Sequence, residues 1–357
     1  MAIQVISKAL LEKTRPIASI NEMRDATGKV REFNLRDHVR PLGGGSGIVA
    51  EFIGNDSFAK QFYQRQRYEI DAGRDQEPLL YLPIYNSITD PTLPELIDVF
   101  TLGQTGVVFE KIEEGGEVKF ATVSGGKKVV RIEQFAAGIE YSERLFLYNQ
   151  MWQFAPIERQ FGVAHNALHN HIHLYPIINH TYPTANVTNG TALTNFRQIA
   201  SMPEKYLRAI EQAIIDGTAD KKNPRRGPFV LLCSTNDLFT FERALRVVPQ
   251  EGFDIQSSAI GQLRTVIAYD GWTGTRGKIE VEYDGVASGT AYLIDISNKM
   301  TDFQSYIKIP LRMTMGNPDV SRFIMAQNIY DTHFGMFADP TRAVQKITLP
   351  TATSGQA

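Results

Sequence analysis

The chain has one cysteine, Cys233, in 357 residues. An internal disulfide framework and a paired-cysteine metal site are therefore both excluded, and a reducing compartment is expected. Neither sign of charge dominates: 37 Lys+Arg stand against 39 Asp+Glu, a formal net charge of −2. A dedicated nucleic-acid binder is normally basic overall, so that class is disfavoured. No stretch approaches the ~20 uninterrupted apolar residues of a membrane span, and no membrane partner is expected. The opening MAIQVISKALLEK lacks the basic-then-apolar order and the cleavage site of a secretory leader. No repeat with a period of roughly 20–50 residues is present, which excludes solenoids and propellers. What is there is ordinary globular material: 43% hydrophobic and 21% charged residues. Wholesale disorder is excluded. The length suggests two or three domains, because one core rarely grows beyond ~250–300 residues.

Residues 1–56 read as an arm. Ile3, Ile6, Leu10 and Leu11 suit a short amphipathic turn or two, and the segment ends near Gly43-Gly44-Gly45-Ser46-Gly47. Residues 1–40 hold eight Lys/Arg and five Asp/Glu, so the segment is too polar to bury much of itself and needs a partner surface. Asp56 or Ser57 caps a helix with Phe58, Phe62 and Tyr63 on one face. LLYLPIY at 79–85 reads as a strand, interrupted by Pro78, Pro83, Pro91 and Pro94. Residues 101–141 read as an extended hairpin with glycine turns at 113–116 and 124–126, and Val129, Val130 and Ile132 continue it as strand. A two-stranded ribbon is marginal alone in water, so it should lie on another surface.

The longest helical signal lies within 142–182. Pro156 suits a first turn, and Ile157, Phe161, Ala164, Leu168, Ile172 and Tyr175 form the expected buried stripe, closed by Pro176 and Pro183. Beyond it, helix and strand alternate. Ser201 and Glu204 suggest a capping box, with Leu207, Ile210 and Ile214 buried and Gly217 closing the helix. PFVLLC at 228–233 is a buried strand, and a helix with Leu238, Phe241 and Leu245 follows Ser234. Strands are expected at about 264–269, 277–283, 290–296 and 303–309. Two more, Phe323–Tyr330 and Ala343–Leu349, are joined through Asp339-Pro340. The class is α+β.

Few residues suggest chemistry. His165, His169 and His173 repeat at i, i+4, i+8 and share a helical face. An i, i+4 histidine pair can chelate zinc. The glutamate of a zinc-protease helix is missing, since Asn166 and Ala167 follow His165, and no third ligand is evident. Each histidine directly follows an apolar stripe residue. The competing reading is a structural border of the buried face, or a pH-sensitive contact between subunits. PLGGGSG lacks the Lys-Ser/Thr of a phosphate loop and reads as a hinge. Lys221, Lys222, Arg225 and Arg226 read as a solvated basic loop, without the aromatic platform of a strand binder. Cys233, inside an apolar strand, reads as an inert thiol. No catalytic set and no cofactor site emerges.

The order of parts is informative: polar arm, two-stranded loop, long helix, α/β domain with two helices, closing strands. GGEVKFATVSGGKKVVRIEQFAAGIEYSERL, GPFVLLCSTNDLFTFERAL and HFGMFADPTRAVQKITL carry a resemblance to the tailed-bacteriophage major capsid proteins of the Hong Kong 97 type. The resemblance covers about residues 57–349 and implies the Hong Kong 97-like fold. On it, 1–56 is the N-terminal arm and 101–128 the extended loop. Residues 57–100, 129–184 and 321–357 form the peripheral domain, with a spine helix at about 148–176, and 185–320 the axial domain.

The implied function is self-assembly as hexamers and pentamers into an icosahedral head around packaged double-stranded DNA, which the shell contacts non-specifically. Inter-subunit contacts are then expected at Arg36, Arg40, Phe109, Glu113, Glu114, Lys119, Phe120, Lys127 and Lys128. The short arm implies a separate scaffolding protein; a portal and a decoration protein are further implied partners. The implied location is the virion, with assembly in the host cytoplasm. Thr122 stands where cross-linking members carry the loop lysine, so no covalent cross-link is expected. An encapsulin-like compartment shares the fold and is the alternative; an enzyme built on His165, His169 and His173 is the remoter one.

Overall fold

The computed structural model describes residues 4–6, 22–24, 30–32, 56–102, 125–142, 154–190, 202–245, 261–276, 279–316 and 324–350. Three short strands come first: β1 (Gln4–Ile6), β2 (Glu22–Arg24) and β3 (Val30–Glu32). Helix α1 (Asp56–Gln76) follows, with Asp56 and Ser57 as its first two residues. Strands β4 (Asn86–Thr89), β5 (Leu96–Leu102), β6 (Gly125–Arg131) and β7 (Glu133–Ser142) precede the long helix α2 (Phe154–Ile178). Then come β8 (Val187–Asn189), α3 (Met202–Ala219), β9 (Phe229–Cys233) and α4 (Thr235–Leu245). Strands β10 (Leu263–Ala268), β11 (Gly271–Arg276), β12 (Ile279–Asp284) and β13 (Thr290–Asp295) lead to a single turn, α5 (Lys299–Asp302). The chain closes with β14 (Phe303–Gly316), β15 (Ile324–Ala338), α6 (Pro340–Ala343) and β16 (Val344–Thr348).

Six strands form the larger sheet, in the order β1-β10-β9-β13-β16-β8. Its period-2 alternation separates two cores. Phe229, Leu231 and Cys233 of β9, with Ala291 and Leu293 of β13, face α3 and α4. Val230, Leu232, Tyr292 and Ile294 face the other way, toward Leu174 and Ile177 at the end of α2 and toward Tyr81 and Ile84. Both faces are covered, which is why every residue of β9 is buried and why PFVLLC is a continuous apolar run. Each large side chain buried in this way contributes about 1.5–3 kcal/mol.

The second sheet has the order β4-β14-β15-β7. Pro310 lies where the β14–β15 register shifts between Ile309 and Arg312, as expected for a residue without an N–H to give the ladder. Helices α1 and α2 pack closely through glycines, and Glu69 of α1 accepts from Arg159 Nε of α2 at 2.6 Å.

Several expectations need correction. Ile6 belongs to a strand, not a helical turn: Val5 and Ile6 are β-branched, and β1 pairs in parallel with β10. LLYLPIY is a turn, with the N–H groups of Ile84 and Tyr85 both donating to Tyr81 O. Its buried residues Leu80, Tyr81, Ile84 and Tyr85 recur at helical spacing. Gly125 and Gly126 lie within β6, opposite Leu102 and Thr101, and make no turn. Gly217 sits inside α3 and Pro176 inside α2. Strand β11 was not anticipated, and β14 and β15 are much longer than expected. The linear division grouped 303–316 with the α/β segment and 344–348 with the long helix. The hydrogen-bonded sheets pair them the other way: β14 joins β15, and β16 joins β13.

Candidate assembly surface

Strands β5 and β6 form an antiparallel stem from Leu96↔Arg131 to Leu102↔Gly125. Alternation gives this stem two unlike faces. Val99, Val130 and the half-buried Ile97 pack on Tyr306 and Phe337 of the second sheet. On the other face Leu96 is 57% exposed and Val129 55% exposed. These apolar residues stand between two ion pairs, Lys127–Asp98 at 2.9 Å and Arg131–Glu95 at 3.4 Å. Exposed pairs of this kind contribute little to stability. Such a face, apolar at its centre and charged at its rim, is suited to a partner.

Of the nine expected contact residues, two are described. Lys127 is on the outward face of the stem, tied to Asp98. Lys128 is on the inner face, its Nζ 5.4 Å from the centre of the Phe337 ring and 3.9 Å from Asp339 Oδ2, so its charge is engaged within its own chain. Arg36, Arg40, Phe109, Glu113, Glu114, Lys119 and Phe120 lie outside the described residues, as do Thr122 and the Gly43–Gly47 run.

The sequence reading ran β7 into the extended hairpin of 101–141 and missed its place in the second sheet. It pairs with β15 along one side and ends the order of the second sheet. Glu133, Gln134, Ala136, Ala137, Gly138 and Glu140 are exposed. Ile329, opposite Gly138, is 47% exposed. The strand has no proline or lysine, the usual protections of a sheet edge. That absence was the available signal in EQFAAGIE. In the basic loop, Lys221, Lys222 and Arg226 are exposed as expected. Arg225 is not: it is 1% exposed, donating to Gln345 Oε1 at 2.6 Å and to Asp220 Oδ2 at 3.2 Å. Cys233 is fully buried, and burial pushes its thiol pKa up.

The histidines are more deeply placed than the border reading expected. His169 and His173 are 3% and 0% exposed. The apolar stripe is instead turned outward at its ends, with Ile157 46% and Tyr175 40% exposed. The cause is Asn166 and Asn170, which satisfy backbone groups of the adjoining chain. Asn166 Nδ2 donates to the carbonyls of Arg74 and Glu77. Asn170 accepts from Leu80 N–H at 2.8 Å and donates to Pro78 O at 2.8 Å.

The imidazoles stack instead of converging on a point. His173 lies 3.8 Å from the Tyr81 ring at 10°, and His169 lies 4.0 Å from Phe334 at 18°. His173 Nδ1 donates to His169 O, and its Nε2 accepts from Ser305 Oγ. Burial lowers all three pKa values: His165 and His173 to about 4, His169 to about 2, the last helped by the neighbouring imidazoles and Arg74. Among the described residues no group of three His, Cys, Asp or Glu is arranged to hold a metal ion. Among them, too, no helix is long and apolar enough to cross a membrane.

No protein-family model matches the chain, and no curated protein sequence matches it. Solved structures do. The virus-like particle from Pyrococcus furiosus aligns with a TM-score of 0.50 at 9% identity, over 80% of this chain and 99% of that one. The capsid of the Cyanophage P-SCSP1u aligns with a TM-score of 0.50 at 10% identity, over 77% and 89%. At these identities the likeness is one of fold, and the fold of this chain is the Hong Kong 97-like capsid fold.

Proposed function

We propose that this chain is a major capsid protein that self-assembles as hexamers and pentamers into an icosahedral shell around double-stranded DNA. The observation that carries the reading is the two-faced β5–β6 stem, with Leu96 and Val129 exposed, on a chain of Hong Kong 97-like fold. A monomer gains nothing from that face. A neighbouring copy covers it, and symmetry repeats the gain at every subunit. Among the described residues no strand pairs with the second side of β7, which offers the same neighbour a row of backbone donors and acceptors.

In this reading residues 1–56 are the arm, 101–128 the extended loop, 187–295 with β16 the axial part, and α1, α2 and the second sheet the peripheral part. Arg36, Arg40, Phe109, Glu113, Glu114, Lys119, Phe120 and Lys127 are proposed inter-subunit contacts, whereas the engagement of Lys128 with Phe337 and Asp339 argues for a role inside the subunit. A scaffolding protein, a portal and a decoration protein are the proposed further partners, and the virion the proposed location. The role is structural, not catalytic.

The contents of purified particles test the reading. Nuclease-protected double-stranded DNA is expected; particles filled with a protein cargo would contradict it. The near-complete coverage of the virus-like particle chain favours an encapsulin-like compartment as the second reading, and the same measurement separates the two.

A further inference from the structure

We propose that the imidazole row His165–His169–His173 is an acid-sensitive latch: neutral rings hold α2 against the 79–85 turn and the β14–β15 strands, and protonation of His169 releases them. This inference does not depend on the shell reading.

The row is built for the uncharged state. His165 Nδ1–H donates to Asn166 Oδ1 at 3.0 Å, since both hydrogens of Asn166 Nδ2 are given to backbone carbonyls. His173 uses both nitrogens as a neutral ring does, one donating and one accepting. His169 stands between them, 4.5 Å from the His165 ring and 5.8 Å from the His173 ring. Both of its nitrogens are buried and have no hydrogen-bond partner. An added proton there finds no acceptor. The Phe334 face offers a cation some compensation, but no hydrogen bond.

Among the described residues, the charges that act on His169 are those of the neighbouring imidazoles and Arg74, and no carboxylate is among them. From α1, Arg74, a cation, acts on His169 and pairs with Asp71 at 3.5 Å; Glu69 is held by Arg159 at 2.6 Å. From the turn, Tyr81 and Tyr85 are phenols kept neutral by burial. Strand β14 presents the uncharged Ser305. Strand β15 presents Phe334, while its Asp331 binds Arg312 and His333. On α2, Glu158 lies seven residues before His165, about 10 Å along the axis. His171 leaves the row and stacks on Tyr283, with Asp284 acting on it.

The sign follows from linkage. An exposed imidazole binds its proton near pH 6.5, and the buried one does so only at much lower pH. Falling pH therefore favours any state in which the row is open. A single imidazole raises the opening equilibrium about 30-fold between pH 7.5 and pH 5.0.

The test is hydrogen exchange on the full chain at pH 7.5 and 5.0, each referred to intrinsic exchange at that pH. Wild-type protection in 79–85 and 165–178 is expected to fall at pH 5.0 by about 30-fold for each imidazole that opening exposes, with β9 unchanged. His169→Phe keeps the stack and should lose about 30-fold less protection than wild type; His180→Gln, outside the row, should behave as wild type. Equal protection at both pH values, or the same loss in His169→Phe, overturns the proposal. If His169→Phe does not fold, the ring chemical shifts of the wild-type histidines decide. Rings neutral until the segment opens support the latch; rings that charge with protection intact overturn it.

Discussion

Gly73 of α1 and Gly162 of α2 pack backbone against backbone. A Cβ on Gly162 would stand 2.2 Å from the Ile70 carbonyl oxygen and 2.9 Å from the Gly73 carbonyl carbon. A Cβ on Gly73 would stand 2.0 Å from the Arg159 carbonyl oxygen. Alanine normally improves a helix by about 1 kcal/mol over glycine. Here it must push two backbones apart. Gly162→Ala is expected to destabilise by about 1–3 kcal/mol, read as a lower urea midpoint. An unchanged or raised midpoint would mean that the helices are not this close.

One turn from that contact, Arg159 closes a salt bridge on Glu69, whose side chain is 1% exposed. Arg159→Ala leaves a buried carboxylate unpaired and should cost about 3–5 kcal/mol. The double variant Glu69→Leu with Arg159→Met should recover most of it, because the pair itself returns little beyond its own desolvation. Denaturant titrations of the three proteins check both statements.

The neutral histidine row gives stability a definite pH dependence. The folded pKa values are depressed, to about 4 for His165 and His173. The unfolded chain therefore binds more protons below pH 6.5. Stability should be flat in this contribution above pH 6.5 and fall with acidification, by about 1.4 kcal/mol per pH unit for each imidazole, until pH 4 is approached. Urea unfolding at pH 7 and pH 5 measures it. Stability rising toward pH 5 would contradict the placement of the rings.

Leu102 and Gly125 are partners at the end of the stem, so the loop between them can be excised without touching the ladder. Removing 104–123 leaves Gly103-Ser124 as a two-residue connection, with glycine where a type II′ turn wants it. The variant is expected to be a folded, soluble subunit that forms no closed shells. Normal particles, seen by negative-stain microscopy, would defeat the assignment of the loop to a neighbour.

The elements that read clearly from sequence bury apolar runs by local rules. β9 was legible because both of its faces are covered, and α3 and α4 because Ile210, Ile214, Leu238 and Phe241 keep helical spacing. The face of α2 was not. Asn166, Asn170 and His173 are buried because they bond the backbone of the chain beside them and Ser305, and hydropathy has no term for that. LLYLPIY misled because a short apolar run with two tyrosines suggested a strand, while burial at 80, 81, 84 and 85 follows a turn. The exchange of β14 and β16 between sheets depends on pairings with β15 and β13 that no local window contains. The stem of the candidate assembly surface was half legible. Val129 and Val130 marked strand β6, but β5 was hidden by the prolines before it.

The most direct test is electron microscopy of the purified chain, with and without lysate from its source. Closed icosahedral particles with the Leu96–Val129 face covered by a neighbouring copy are the expected result. A protein that stays monomeric under every condition, with that face exposed to solvent, would contradict the account.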